Sequence, residues 1–75
     1  MPYKTNADLP KTVINVLPLH GQDIYREAFN HAWEEYKDPE KRKTQESREE
    51  VSHIVAWAAV KRRYHKVGEK WEEKP

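Results

Sequence analysis

Ile24, Tyr25, Ala28, Phe29, Ala32, Trp33 and Tyr36 recur at intervals of one, three and four residues. At about 100° per residue they all fall within one half of a helical wheel. A strand cannot present them to one side, because its side chains alternate between faces. The segment therefore reads as a helix from about His20 to Lys37 with a broad, aromatic inner face. The rest of a 75-residue chain has to cover that face. A chain this small buries only about 60% of the surface it exposes when unfolded, so its core supplies little net stability. An enclosed active-site cavity would compete with that core for the same side chains. Size thus favours a binding or regulatory module over an enzyme.

Proline, glycine and periodicity mark out the covering elements. Asp8 can cap a first helix over about 9–17, Pro10 suits its first turn, and Pro18 stops it. Leu9, Val13, Val16 and Leu17 give that helix one apolar stripe. Asp23 suits the positive end of the second helix. Asp38-Pro39 ends it, and 38–47 is expected to be a charged loop without an apolar anchor. Ser47 and Glu50 form an S-x-x-E capping box for a third helix over 48–66. Gly68, which turns left-handed most easily, stops it. Val51, Ile54, Val55 and Ala58 make one apolar arc of this helix, and Trp57, Val60 and Tyr64 another. A helix apolar on two sides is expected to be central, packed by both neighbours. "PYK" and "KWE" can pair as a minimal ribbon, with Tyr3 and Trp71 packing on the helices. The expected fold is mainly α: one compact three-helix domain over 1–75, with a two-stranded ribbon formed by the termini.

Composition narrows the function. With no cysteine there is no disulfide framework, thiolate metal site or cysteine nucleophile. "MPYKTNADLP" lacks the apolar run of a secretory signal. The longest uninterrupted apolar run, "IVAWAAV" at 54–60, is far short of the roughly 20 residues that cross a bilayer. The expectation is a soluble, cytoplasmic monomer without direct membrane insertion. A net charge of +1 does not predict generic wrapping by nucleic acid.

Three groups of residues can carry chemistry. Glu27, His31, Glu34 and Asp38 share one face of the second helix, with Glu35 at its edge. They can be read as a direct cation sensor, but long glutamates on an exposed face do not preorganise the six or more oxygens that a hard cation needs. A solvated face is the better reading. His20, His31, His53 and His65 show no H-x-x-x-H pair. Ser47 and Ser52 lie in no nucleophile turn, and Gly21 and Gly68 alone build no phosphate loop. No catalytic residue, cofactor or metal ligand is assigned. "WAAVKRRYHK" remains, where Lys61, Arg62, Arg63 and Lys66 interleave with aromatics. Basic residues near a helix C-terminus complement its dipole, and Trp57 and Tyr64 suit a core. The four cations are nonetheless the most plausible contact patch for an acidic partner, or alternatively for a nucleic acid.

With these residues in view, the chain resembles the ChaB family of bacterial cation transport regulators. The resemblance rests on "MPYKTNADLP", "VLPLHGQDIYREAFNHAWEEYKD", "SREEVSHIVAWAAVK" and the late "KW", in family order and at family spacing. Leu19 and Gly21 depart from it, standing where a polar residue and an alanine are expected. The resemblance implies a compact, largely helical domain and a role in modulating a sodium/calcium–proton antiporter. The implied partner is the cytoplasmic face of that antiporter or an associated protein. It implies no catalytic or ligand residues. Relatives in insect viruses are linked with DNA binding, which keeps the nucleic-acid alternative open.

Overall fold

The computed structural model describes residues 3–38, 40 and 47–75, so most of the loop expected at 38–47 lies outside the described residues. Two long helices, α2 (Leu19–Glu35) and α3 (Arg48–Arg63), form the main contact of the molecule. A short α1 (Lys11–Ile14) follows a 3-10 turn at Asn6–Asp8. An antiparallel hairpin of β1 (Tyr64–Val67) and β2 (Lys70–Glu73) comes after α3.

The aromatic face of α2 does what its periodicity predicts. Tyr25, Phe29 and Ala32 are fully buried, with Ile24, Ala28 and Trp33 packed beside them. Leu9, Val13 and Leu17 cover this face from the N-terminal segment, and Ala56, Val60 and Tyr64 from the other side. The ring of Phe29 lies 4.7 Å from Tyr3, 4.9 Å from His53, 6.0 Å from Trp33 and 6.2 Å from Tyr25. Gln22 is also buried, a polar residue inside the apolar half of the molecule. Its side-chain amide donates to the carbonyl of Leu17 at 2.8 Å and, more weakly, to that of Ile14 at 3.4 Å. It thus supplies a donor to the last carbonyl of α1 and to the Leu17 carbonyl in the turn that leads into α2.

Several boundaries move, each for a local reason. The first helix covers Lys11–Ile14 rather than 9–17. Pro10 is its N-cap, and Asp8 bonds back to the Thr5 N–H at 3.1 Å instead of capping it. The second helix starts at Leu19 and ends at Glu35, two residues before Lys37. At the start of α3, Ser47 Oγ accepts the Glu50 N–H at 3.1 Å. The return bond of the capping box is not made, and the Glu50 carboxylate has no partner among the described residues.

The third helix stops at Arg63, not 66, because Tyr64 turns extended at φ −125° and ψ 154°. Gly68 is left-handed, as expected, at φ +64°. It opens the two-residue loop of a hairpin instead of ending a helix. With φ negative at Glu69, this is the type II′ pattern that matches strand twist. Tyr64, His65, Lys66 and Val67 face Glu73, Glu72, Trp71 and Lys70 in register. The ribbon is therefore built within the C-terminal segment, not from the two termini. Tyr3 is held by α2 instead. The side-chain amide of Asn30 accepts the Tyr3 N–H at 2.8 Å and donates to the Tyr3 carbonyl at 2.7 Å. One side chain thus supplies both bonds that a strand partner would have given.

The two-sided packing expected of α3 is also corrected. Its buried line is Ser52, Ala56 and Val60, with the Ser52 hydroxyl donating to the Arg48 carbonyl at 2.8 Å. Ile54 and Ala58 face outward. α1 is too short to reach around α3, and it sits where the Trp71 N–H donates to the Val16 carbonyl at 3.0 Å.

Replacing Gly68 by Ala is expected to cost about 1–2 kcal/mol, because a Cβ is strained at positive φ. Nothing lies within 4 Å of that Cβ, so the cost is conformational and not a clash. Urea titration followed by tryptophan fluorescence measures it, and an unchanged midpoint would refute it.

Candidate interaction surface

Lys61, Arg62 and Arg63 form the last turn of α3, and Lys66 lies on β1 directly across from Trp71. All four are exposed, and none has an ion-pair partner among the described residues. The structure thus brings the four predicted residues to one end of the molecule. It does not give them aromatic neighbours free for stacking. Tyr64 is buried, and Trp57 stands 5.2 Å from Tyr25 and 5.3 Å from Trp71, both rings being spent on packing. Burial first, and then the facing Glu73 carboxylate, hold the Tyr64 phenol above its usual range; Arg63 opposes them, and Asp23 adds the least. The patch is also mixed in sign. Residues 61–75 carry six lysines and arginines and three glutamates, with Glu72 across from His65 and Glu73 4.0 Å from His20. A discrete cationic spot among carboxylates suits a protein surface better than a continuous phosphate backbone.

Glu27, His31 and Glu34 are exposed on the polar face of α2, and Asp38, also exposed, lies three residues past the helix end and not on that face. Glu27 and Glu34 stand about 10 Å apart along the axis, whereas cation–oxygen distances are only about 2.0–2.6 Å. Two of these carboxylates have structural partners. Glu34 pairs with Arg48 at 3.7 Å, and Asp38 accepts the Glu40 N–H at 2.9 Å. Among the described residues no three His, Asp or Glu side chains converge as a metal site.

Sequence reading passed over two polar constellations. Arg48 donates from Nε to the Trp33 carbonyl at 2.6 Å and lays its guanidinium 4.1 Å over the Trp33 ring, tying the start of α3 to the end of α2. At its centre, the Tyr25 hydroxyl bonds to His53 Nδ1, and His53 Nε2 stands 3.8 Å from the Glu49 carboxylate. The i, i+4 spacing of Glu49 and His53 was visible in the sequence, but the long-range partner Tyr25 was not. This row resembles a proton relay, yet burial, with Tyr3 and Glu49 adding to it, pushes the Tyr25 phenol far above its usual range. Its role is to satisfy a buried hydroxyl. A half-open groove of about 340 Å3 lies elsewhere, between Ile14–Pro18 and Lys70–Trp71, and Lys70 is its only ionisable lining residue.

The ChaB family model matches residues 9–74. The chain is 60% identical over 75 residues to "Putative cation transport regulator ChaB" of Escherichia coli, covering 99% of each chain. The same identity and coverage relate it to the protein of that name from Shigella flexneri. Among solved structures it matches "NMR solution structure of the putative cation transport regulator ChaB" with a TM-score of 0.83 and 59% identity. That match covers 99% of this chain and 100% of the other.

Proposed function

Because the chain belongs to the ChaB family, we propose that it regulates cation transport without catalysis, docking its basic α3–ribbon end on an acidic protein surface. The surface is the cytoplasmic face of a sodium/calcium–proton antiporter or of a protein associated with it, and the regulator acts from the cytoplasm. The observation that carries this reading is the set of exposed cations, Lys61, Arg62, Arg63 and Lys66, without ion-pair partners among the described residues. The regulator name of its relatives supports the role. No helix among the described residues is long and apolar enough to cross a membrane, which supports contact with a transporter from outside the bilayer. Charge complementarity would set on-rate and specificity more than affinity.

Arg63→Glu combined with Lys66→Glu is expected to abolish capture of the partner after crosslinking in cells, with helicity unchanged. Both side chains are exposed, so the fold tolerates the change. Retained capture rejects the patch. The nucleic-acid alternative is tested on the same pair of proteins. It requires a mobility shift at low salt that weakens steeply as salt rises.

A further inference from the structure

We infer that the outward face of α3 pairs, antiparallel, with the same face of a second copy of this chain. Ile54 is 57% exposed, the most exposed large apolar side chain on α3. It shares one face with exposed Ala58 and half-buried Val51. This face lies opposite the buried line Ser52–Ala56–Val60. Apolar residues at 51, 54, 55 and 58 have the spacing by which one helix receives another.

The charges on this face identify the occupant. Glu50 lies six residues before Ala56 and Lys61 five after it, about 9 Å and 7.5 Å along the axis. At 100° per residue both fall on the same flank of the exposed stripe. A two-fold axis through the level of Ala56, perpendicular to the helix, reverses direction along the helix and keeps the flank. It therefore sets Glu50 of each copy against Lys61 of the other, twice over. The same operation places Ile54 across from Ala58, a large side chain over a small one, and the stem of Arg62 across from Val51. This face carries both signs at mirrored heights, which makes it complementary to itself, the property that an isologous contact uses. The Glu50 carboxylate, free of the capping role that its sequence position suggests, is available for the pair. Arg63 projects toward the other side of α3, and Lys66 lies beyond its end on β1. The pairing therefore leaves both open.

α3 is about 24 Å long, and a lone helix–helix contact falls at the low end of interface sizes. Self-association is thus weak, with Kd on the order of 0.1–1 mM. This departs from the monomer expected from the sequence.

Sedimentation equilibrium and NMR line widths, followed by dilution from the millimolar range, test the pairing. Glu50→Lys alone and Lys61→Glu alone should each weaken it at least about tenfold, since like charges then meet at both ends. An equimolar mixture of the two single variants should restore it, and so should the double variant, to within about threefold of the unchanged protein. Ile54→Asp should abolish it with the far-ultraviolet spectrum unchanged. No concentration dependence in the unchanged protein would overturn the inference. So would association that survives in every variant, or a mixture that stays monomeric. None of these results bears on the Arg63 and Lys66 contact.

Discussion

Phe29→Ala is expected to leave the chain largely unfolded at 25 °C. The ring is fully buried and sits among Tyr3, Tyr25, Trp33 and His53. Removing a buried phenylalanine ring costs about 3–5 kcal/mol, the lost transfer energy adding to the cavity left behind. A core in a chain of this length rarely supplies more than about 3–5 kcal/mol in total. The two figures are equal, so the variant has almost no stability left. The loss also spreads. Tyr3 packs on this ring, so the Asn30 clamp on its backbone loses its apolar support. Ellipticity at 222 nm and urea titration measure the effect. A cooperative transition within about 1 kcal/mol of the unchanged protein would refute it. Ile54→Ala, on the exposed side of α3, is the contrast: within about 0.5 kcal/mol of no change in dilute solution.

That contrast also marks where sequence reasoning worked. Phe29 belongs to seven apolar residues on one half of a wheel, a pattern that only burial explains, and the structure buries it. Ile54 belongs to an arc of four that looks similar. Whether such an arc is covered depends on whether another element reaches it, and that is a property of the assembled fold. The four-residue α1 does not reach it. The ribbon failed for a related reason. Trp71 packs on the helices as its position predicts, but a single Asn30 side chain satisfies the Tyr3 backbone, which no local pattern announces. Tyr64–Lys66 fit the helical register of the third helix expected over 48–66. The left-handed glycine that follows is compatible with a helix end and with a hairpin turn, and the packing of Trp71 on Trp57 favours the turn. At the candidate surface, the exposed cations and the buried Tyr64 were legible from dipole and periodicity. Arg48 over Trp33 was not, because it joins residues fifteen apart across the α2–α3 connection.

Above pH 10 the fold is expected to weaken steeply, and Tyr25→Phe is expected to remove the largest share of that loss. An unfolded phenol titrates near pH 10. Burial, with Tyr3 and Glu49 adding to it, places the Tyr25 phenol well above that in the folded protein. Below pH 10 both states keep the proton, and this group adds no pH dependence. Above it the unfolded chain releases a proton that the folded one retains. Rising pH therefore favours unfolding by about 1.4 kcal/mol per unit. By pH 12 the loss from this one group is on the order of 2 kcal/mol, a large share of what a core of this size supplies. Burial raises Tyr3 and Tyr64 in the same direction, but they titrate in both proteins and leave the comparison unaffected. At neutral pH the Phe variant should be the weaker protein by about 1 kcal/mol, having lost the hydroxyl's bond to His53. The two stability curves must then cross, with the variant the more stable at pH 12. Urea titrations from pH 7 to pH 12 locate the crossing. Curves that run parallel throughout would mean that the Tyr25 hydroxyl reaches water and ionises in the folded protein.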